Sequence, residues 1–258
     1  MFEKETTIQK RFEKQLAIIT GAATGLGEGI TRRLAGEGAT VALFDCNSSR
    51  LEQTVANFRK SNLGAHGYPA DVSDESAVKR TIAAVEKDLG PPDVMVNCAG
   101  IVGPTNTTII DYPVEDYDRV YAVNLRGSFL MTKYSLIPML KRKYGRILLM
   151  ASMSGKEGNP FMSGYTCSKA GVFGLVKGIA KEFPQSGVTI NGLAPAVVMT
   201  DLVRGCAPEQ VAYMTAKIPM GRCGTIEEVA AMSAWIVSRE CSFTTGFVFD
   251  LSGGRATY

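Results

Sequence analysis

Histidine is almost absent from this sequence: His66 is the only one among 258 residues. A single histidine leaves almost no room for Ser-His-Asp hydrolysis or for a histidine-rich metal site, and we predict no metal. The six cysteines show no CxxC spacing. That scatter favours the reduced thiols of a cytoplasmic protein over a disulfide or zinc framework. We interpret Cys167 as a small, buried hydrophobic side chain.

Long apolar runs and a strong net charge are also missing. No run approaches the roughly 18–20 residues that a membrane span needs. The opening stretch, MFEKETTIQKRFEKQ, is polar and charged, so we predict no signal peptide and interpret residues 1–14 as an N-terminal extension. A net charge of +3 gives no electrostatic case for nucleic acid or a membrane surface. A small molecule is the expected partner.

What the chain does have is a regular alternation of short apolar runs with helical segments. The runs include LAIIT at 16–20, TVALF at 40–44, DVMVN at 93–97 and GRILLM at 145–150. This alternation predicts an α/β fold, a Rossmann-type doubly wound parallel sheet of about seven strands with helices on both faces. No break in composition divides it, so we predict one domain over residues 15–258. The rhythm stops at residues 196–224, which we predict to be a substrate loop.

A glycine-rich turn, GAATGLG at 21–27, follows the first strand and opens a helix. Small residues there let backbone N–H groups approach a pyrophosphate. Asp45 ends the next strand, where a carboxylate can accept hydrogen bonds from ribose hydroxyls and repel a 2′-phosphate. We therefore predict dinucleotide binding, with NAD favoured over NADP, and place Arg32 and Arg33 on the solvent face of the helix. A steric role for the glycines and a helix cap at Asp45 are the alternatives.

Tyr165 and Lys169 stand four residues apart in SGYTCSKAGVFGL at 163–175. On a helix this spacing puts both side chains on one face. The ammonium is expected to lower the pKa of the phenol, and a tyrosine tuned towards neutral pH can act as a general acid or base. Alone, such a pair is more typical of an exposed helix face, so its meaning depends on the rest of the chain.

Eight motifs in order resemble those of the short-chain dehydrogenase/reductase family, over essentially the whole chain from residue 16. They are TGAATGLG (20–27), DV (71–72), NCAG (97–100), VNLRG with Asn124, MASMSG with Ser152, YTCSK (165–169), NGLAP (191–195) and DLSGG (250–254). Two positions depart from the family pattern: Cys98 replaces the second Asn of NNAG, and Ala196 replaces a glycine. The resemblance implies hydride transfer with NAD and assembly as a homotetramer.

The resemblance also implies a role for each matching residue. Tyr165 would be the general acid/base, Lys169 would lower its pKa and hold the nicotinamide ribose, and Ser152 would stabilise charge on the reacting oxygen. Asn124 would anchor a water that relays protons, its alternative being an exposed helix residue. Cofactor contacts, besides those of Tyr165 and Lys169, would come from Gly21, Thr24, Leu26, Asp45, Asp71, Val72, Asn97, Ala99, Val198 and Thr200.

The substrate side is defined by fewer residues. Lys156 and Asn159 are expected with Ser152 at the pocket mouth, and Arg204 is expected to meet the substrate from the substrate loop, although ordinary surface charge explains each of them equally well. The tail, residues 255–258, is expected at a subunit interface, within reach of a neighbour's pocket.

Three local stretches, SGKEGNP (154–160), IPMGR (218–222) and FDLSGGRATY (249–258), resemble members that act on sugars, polyols and sugar acids. We therefore predict oxidation of a secondary alcohol on such a compound, for example a keto-deoxy sugar acid. A 3-oxoacyl-thioester reductase is the runner-up, and a non-catalytic dinucleotide-binding protein on the same fold is the alternative of another class.

Overall fold

One parallel sheet of seven strands organises the computed structural model, which describes residues 10–256. The strands are β1 (Leu16–Thr20), β2 (Thr40–Asp45), β3 (Ala65–Pro69), β4 (Val94–Asn97), β5 (Gly145–Met150), β6 (Val188–Pro195) and β7 (Val248–Leu251). Their order in the sheet is β3-β2-β1-β4-β5-β6-β7. The strand order thus reverses between β1 and β4, and open α/β sheets bind their ligands beyond the carboxyl ends of the strands at such a reversal. The predicted fold and strand number are confirmed.

Helices follow nearly every strand. Within the described residues they are α1 (Gly25–Gly36), α2 (Ser48–Lys60), α3 (Glu75–Leu89), α4 (Val114–Tyr121), α5 (Gly127–Arg142), α6 (Met153–Glu157), α7 (Ser163–Glu182), α8 (Asp201–Arg204), α9 (Pro208–Thr215) and α10 (Ile226–Ile236). A π-helical turn, Ala122–Arg126, joins α4 to α5. No helix between residues 10 and 256 is long and apolar enough to cross a membrane.

Two helical layers cover the sheet. One apolar cluster packs α1, α2 and α10 on one face, and a second packs α3, α5 and α7 on the other. Strands β1, β4, β5 and β6 are buried along their whole length, as expected of a parallel sheet covered on both faces. Ligand access is therefore left to the edge where the strands end.

The prediction of a plain loop over residues 196–224 is wrong in part, since that stretch contains α8 and α9. Pro208 occupies the first turn of α9, where its missing N–H costs no helical hydrogen bond. Both helices are short and largely exposed, so the stretch lacks the apolar periodicity that would have predicted them.

The predicted domain start at residue 15 is too late. Phe12 is fully buried, and the Arg11 guanidinium donates two hydrogen bonds to Glu37, at 2.6 and 2.9 Å. Residues 10–14 therefore pack onto the domain, whereas residues 1–9 of the predicted extension lie outside the described residues.

Candidate active site

The glycine turn fits tightly against the end of β4. Gly21 has a φ of +59°, and a Cβ there would lie 3.0 Å from the backbone of Ala99. A Cβ on Gly27 would lie 2.1 Å from the Gly21 carbonyl oxygen. Around Gly25, by contrast, a Cβ would meet only the Thr200 methyl, at 3.9 Å. The turn is therefore tightly packed at Gly21 and Gly27, whereas at Gly25 a ligand can approach the backbone.

Helix α1 directs its N-terminus at this open space. Its N-cap, Thr24, is exposed and extended and does not cap the helix with its side chain. Leu26, half-buried, lies in the first turn of α1. The N–H groups of a helical first turn carry partial positive charge and suit a phosphate.

The Asp45 carboxylate is hydrogen-bonded to the backbone of the glycine turn. Its carboxylate accepts hydrogen bonds from the Ala23 N–H at 3.1 Å and from the Asn47 N–H at 2.9 Å. The alternative that Asp45 caps α2 is wrong, because Asn47 is the N-cap and accepts from the Arg50 N–H. The carboxylate is thus fixed between the glycine turn and the end of β2.

The two arginines of α1 are exposed, as expected, and are held by other groups. Arg32 pairs with Glu28 and lies over the ring of Phe58 at 4.9 Å. Arg33 pairs with Glu37. Neither has a described contact with Asp45.

Asn97 is oriented differently from the predicted cofactor contact. Its side chain is 2% exposed, accepts from the Thr20 hydroxyl at 2.6 Å and donates to the Ser128 hydroxyl at 2.9 Å. The amide therefore ties β4 to β1 and α5, which leaves only main-chain atoms of Asn97 to meet a ligand. Thr20 also accepts from the Ala99 N–H at 3.0 Å and so fixes the segment beside Gly21.

The other predicted cofactor residues lie on loops at the same edge. Asp71 is exposed and accepts from Ser73, whereas Val72 is buried against Gly127. Val198 is buried and pairs with Gly224, and Thr200 is the N-cap of α8. Their roles as cofactor contacts stay predictions.

Tyr165, Lys169 and Ser152 meet where β5 ends against α7. Burial raises the pKa of the half-buried Tyr165 phenol, and the adjacent Ser152 hydroxyl partly opposes this by bonding to it. The Lys169 ammonium is 5% exposed, donates to the Met150 carbonyl at 2.7 Å, and lies 5.8 Å from the centre of the Tyr165 ring. Burial lowers the pKa of Lys169 to about 8.

The expectation that Lys169 lowers the pKa of Tyr165 is therefore wrong for this structure. Removing the phenol from water disfavours the phenolate, and this outweighs the Ser152 hydrogen bond that favours it. Burial likewise disfavours the charge on the lysine itself. Both pKa shifts favour the neutral forms, although a lysine with a pKa of about 8 is still mostly charged at pH 7.

Asn124 is fully buried, so its alternative as an exposed helix residue is wrong. It lies in the π-helical turn and clamps Ile101, accepting from its N–H at 2.8 Å and donating to its carbonyl at 2.9 Å. It also donates to the Ser168 hydroxyl at 3.0 Å. A Cβ on Gly100 would lie 3.2 Å from Asn124 Oδ1 and 3.6 Å from Lys169 Nζ, so both side chains border one small space.

Comparisons with known proteins agree with this geometry. A family model described as Enoyl-(Acyl carrier protein) reductase matches residues 21–256. The chain belongs to the short-chain dehydrogenase/reductase family. It is an oxidoreductase acting on CH–OH groups, and the predicted family and enzyme class are confirmed.

Three similar proteins extend the comparison. The 2-dehydro-3-deoxy-L-rhamnonate dehydrogenase (NAD(+)) of Sphingomonas sp. (strain SKA58) is 43% identical over 252 residues, covering 96% of this chain and 98% of that protein. The (3R)-3-hydroxyacyl-CoA dehydrogenase of Homo sapiens is 34% identical over 256 residues, with 96% and 97% covered. A solved NAD+-bound xylitol dehydrogenase has a TM-score of 0.90 at 31% identity, with 94% and 99% covered.

On the substrate side of this short-chain dehydrogenase/reductase, two of the predicted residues are bonded to residues near the C-terminus and one is not. Lys156 Nζ pairs with Asp250 at 2.5 Å, and Asn159 Oδ1 accepts from Arg255 at 3.2 Å. Arg204 is exposed on α8 and pairs with Asp201 in its own helix, without a described contact to Ser152 or Tyr165. Substrate contact by Lys156, Asn159 and Arg204 stays a prediction.

The C-terminal tail is described up to residue 256, and its place at a subunit interface stays a prediction. Within its own chain, Arg255 donates to Glu157 and Asn159. Residues 257 and 258 of the tail lie outside the described residues. No local signal could have paired Arg255 with Glu157, because the two positions are 98 residues apart.

One cysteine lies in a different environment from the one predicted. Cys167 is exposed and not buried, because it lies two residues beyond Tyr165 and so faces away from it on α7. The Cys167 thiol is hydrogen-bonded to the Tyr117 phenol. The pKa of Tyr117 is raised, chiefly by burial and then by the neighbouring thiol. Burial raises the pKa of Cys98, the residue that replaces asparagine, to about 12, although the Lys169 ammonium opposes the shift. Cys98 therefore stays a neutral thiol.

Proposed function

We propose that this protein is an NAD-dependent dehydrogenase that oxidises a secondary alcohol on a sugar acid of the keto-deoxy type. The observation that carries the proposal is the meeting of Ser152, Tyr165 and Lys169 at the open edge of the sheet, on the same side as the glycine turn. The 43% identical relative is named as acting on a dehydro-deoxy sugar acid with NAD(+), which supports the substrate class.

The residues present fit a dinucleotide. The backbone over Gly25 is open, the first turn of α1 lacks a capping side chain from Thr24, and the fixed Asp45 carboxylate ends the neighbouring strand. Asp45 would hold the adenosine ribose and repel a 2′-phosphate, which accounts for NAD as the predicted cofactor. When bound, NAD supplies the hydride acceptor.

The chain's own residues handle the proton and the developing charge. The phenolate form of Tyr165 takes the hydroxyl proton of the substrate and ends as the neutral phenol that burial favours, while the Ser152 hydroxyl donates to the same substrate oxygen. Lys169 Nζ, whose pKa is about 8, can pass a proton onward near neutral pH. Asn124 fixes the backbone of Ile101 beside this route, so in our proposal it acts by positioning.

Replacing Tyr165 by Phe tests this mechanism. Cofactor binding should be kept, since the ring remains, while turnover falls at least ~100-fold, the scale of a lost general acid or base. Tyr68→Phe, on the far edge strand β3, is the matched control. Near-normal turnover in Tyr165→Phe would end the assignment.

A substrate screen tests the substrate class. NAD+ reduction would be followed with keto-deoxy sugar acids, aldonates and polyols, beside NADPH oxidation with an acetoacetyl thioester. Reduction of the thioester with NADPH preferred would support the thioester reductase instead, a class to which the human 3-hydroxyacyl-CoA relative lends weight. Tight NAD binding without any turnover would support the non-catalytic alternative.

We also propose a cytoplasmic homotetramer. The scatter of the six cysteines, without CxxC spacing, supports a reducing compartment. Partly exposed aromatic side chains support assembly: Tyr121 and Phe129 rim a cavity of about 300 Å³ between α5 and α7, and Trp235 and Phe247 lie by β7. Light scattering coupled to gel filtration measures the assembly directly, and a monomer at micromolar concentration would contradict it.

A further inference from the structure

The C-terminal segment, residues 250–255, contacts two stretches of the same chain that we take as walls of the proposed substrate pocket. The first wall is α6 with the loop that follows it, residues 153–162. The second wall is residues 218–222, the end of the stretch predicted as the substrate loop. The segment contacts both walls within the same chain.

Three bonds tie the segment to the first wall. Asp250 pairs with Lys156 at 2.5 Å. Arg255 donates from Nε to Glu157 at 2.7 Å and from Nη2 to Asn159 at 3.2 Å. The Arg255 side chain is only 8% exposed, so its pairing is shielded from solvent more than a typical surface ion pair.

Close backbone packing ties the segment to the second wall. The Met220 N–H donates to the Gly253 carbonyl at 3.1 Å. A Cβ on Gly253 would lie 2.6 Å from Ile218, and one on Gly254 would lie 3.3 Å from Pro219. Both glycines have positive φ, so the turn that brings Arg255 back to the first wall requires them.

The first wall in turn contacts the catalytic residues. Ser152 caps α6, because its hydroxyl accepts from the Ser154 N–H at 3.1 Å. A Cβ on Gly155 would lie 2.5 Å from the Lys169 carbonyl carbon, so α6 packs backbone to backbone on α7. A helix of five residues is not stable alone, and its position depends on such contacts.

We propose that Arg255 is a positioning residue that ties the first wall to the C-terminal segment and, through the glycine turn of that segment, to the second wall, and thereby sets the affinity for substrate. The inference rests on the proposed function for its choice of substrate. Without Arg255, the ends of the two walls lose their shared support, and small displacements of substrate-facing groups cost much of the rate. The nucleotide half of the site, around Gly21 and Asp45, has no described bond to the segment.

Steady-state kinetics of Arg255→Ala tests the effect on substrate affinity. KM for the sugar-acid substrate should rise about tenfold, the effect of losing roughly one good ion pair, while KM for NAD stays within about twofold. Arg255→Glu should be at least as impaired, and combining it with Glu157→Arg should recover most of the loss. Arg119→Ala, which breaks an exposed ion pair with Asp116, is the control. Equal changes in both KM values, or a lower melting temperature alone, would overturn the proposal.

Hydrogen exchange tests the positioning without any substrate. In Arg255→Ala, amides of residues 153–162 and 218–222 should exchange about tenfold faster, while those of β1 keep their protection. Unchanged exchange in both walls would overturn the proposal whatever the substrate is. Faster exchange in an enzyme inactive on every alcohol tested would instead count against the proposed function.

Discussion

Lys169→Met removes an ammonium group that this fold buries. Lys169 is 5% exposed, and burial lowers its pKa from 10.5 to about 8. Each pKa unit corresponds to about 1.4 kcal/mol, so holding the charged form in the folded protein costs roughly 3 kcal/mol at pH 7. Methionine has a similar length and no charge, but it leaves the Met150 carbonyl without its donor, which costs about 1–2 kcal/mol. The variant should therefore be about 1–2 kcal/mol more stable than the wild type, and inactive.

The pH dependence gives this prediction a sign that can be checked. Below pH 8 the lysine is charged in both the folded and the unfolded chain, so the whole cost is present. Between about pH 8 and 10.5 the folded protein has lost this proton while the unfolded chain still binds it, so the wild type gains stability as pH rises. The advantage of the variant should shrink through this range and reverse at its upper end.

Urea unfolding at fixed protein concentration, repeated from pH 7 to pH 10, measures the effect. Lys181→Met, at an exposed position of the same helix, is the matched control and should change the free energy of unfolding by less than about 0.5 kcal/mol. A Lys169→Met protein that is less stable at pH 7, or whose difference from the wild type does not vary with pH, would refute the reasoning. In our interpretation the wild type retains a buried charge that lowers the stability of the fold, because the reaction needs that charge.

Three further predictions concern packing. Phe12→Ala should lower the free energy of unfolding by about 3–5 kcal/mol in urea titrations, because Phe12 is fully buried; a loss under 1 kcal/mol would mean that residues 10–14 are an extension after all. Gly27→Ala should abolish NAD binding in fluorescence titrations, since its Cβ would fall 2.1 Å from the Gly21 oxygen, and unaltered affinity would contradict the packing. Gly100→Ala should lower kcat about tenfold while KM for NAD changes little, because its Cβ would lie 3.2 Å from Asn124 Oδ1; an unchanged kcat would show that this space is not used.

Features that depend on neighbouring residues could be predicted from the sequence. The spacing of Tyr165 and Lys169 puts them on one helical face whatever the rest of the chain does. The strand pattern and the glycine turn specify a βα unit locally, and repeated units give the parallel sheet. The helix–strand alternation did not predict the five-residue α6, and it failed over residues 196–224, where α8 and α9 are too short and too exposed to leave a periodic signal.

The direction of side chains was beyond local reasoning. Asn97 lies in a motif that suggested ligand contact. Its side-chain amide is instead hydrogen-bonded to Thr20 and Ser128, which lie 77 and 31 positions away in the sequence. Asn124 likewise could have been an exposed helix residue, and only the clamp on Ile101 shows why a buried amide is satisfied there. In both cases the partner comes from another element, so the sequence pattern around the residue contains no trace of it.

The sequence by itself determined the fold, the family and the set of reacting groups, because these follow from local spacing and from the order of the motifs. The tertiary structure alone decided the electrostatics and the pocket walls. Burial raises the pKa of Tyr165 against the effect expected from Lys169, and Arg255 reaches Glu157 from 98 positions away. Desolvation and long-range pairing depend on which surfaces fold against each other, and no window of neighbouring residues contains that information.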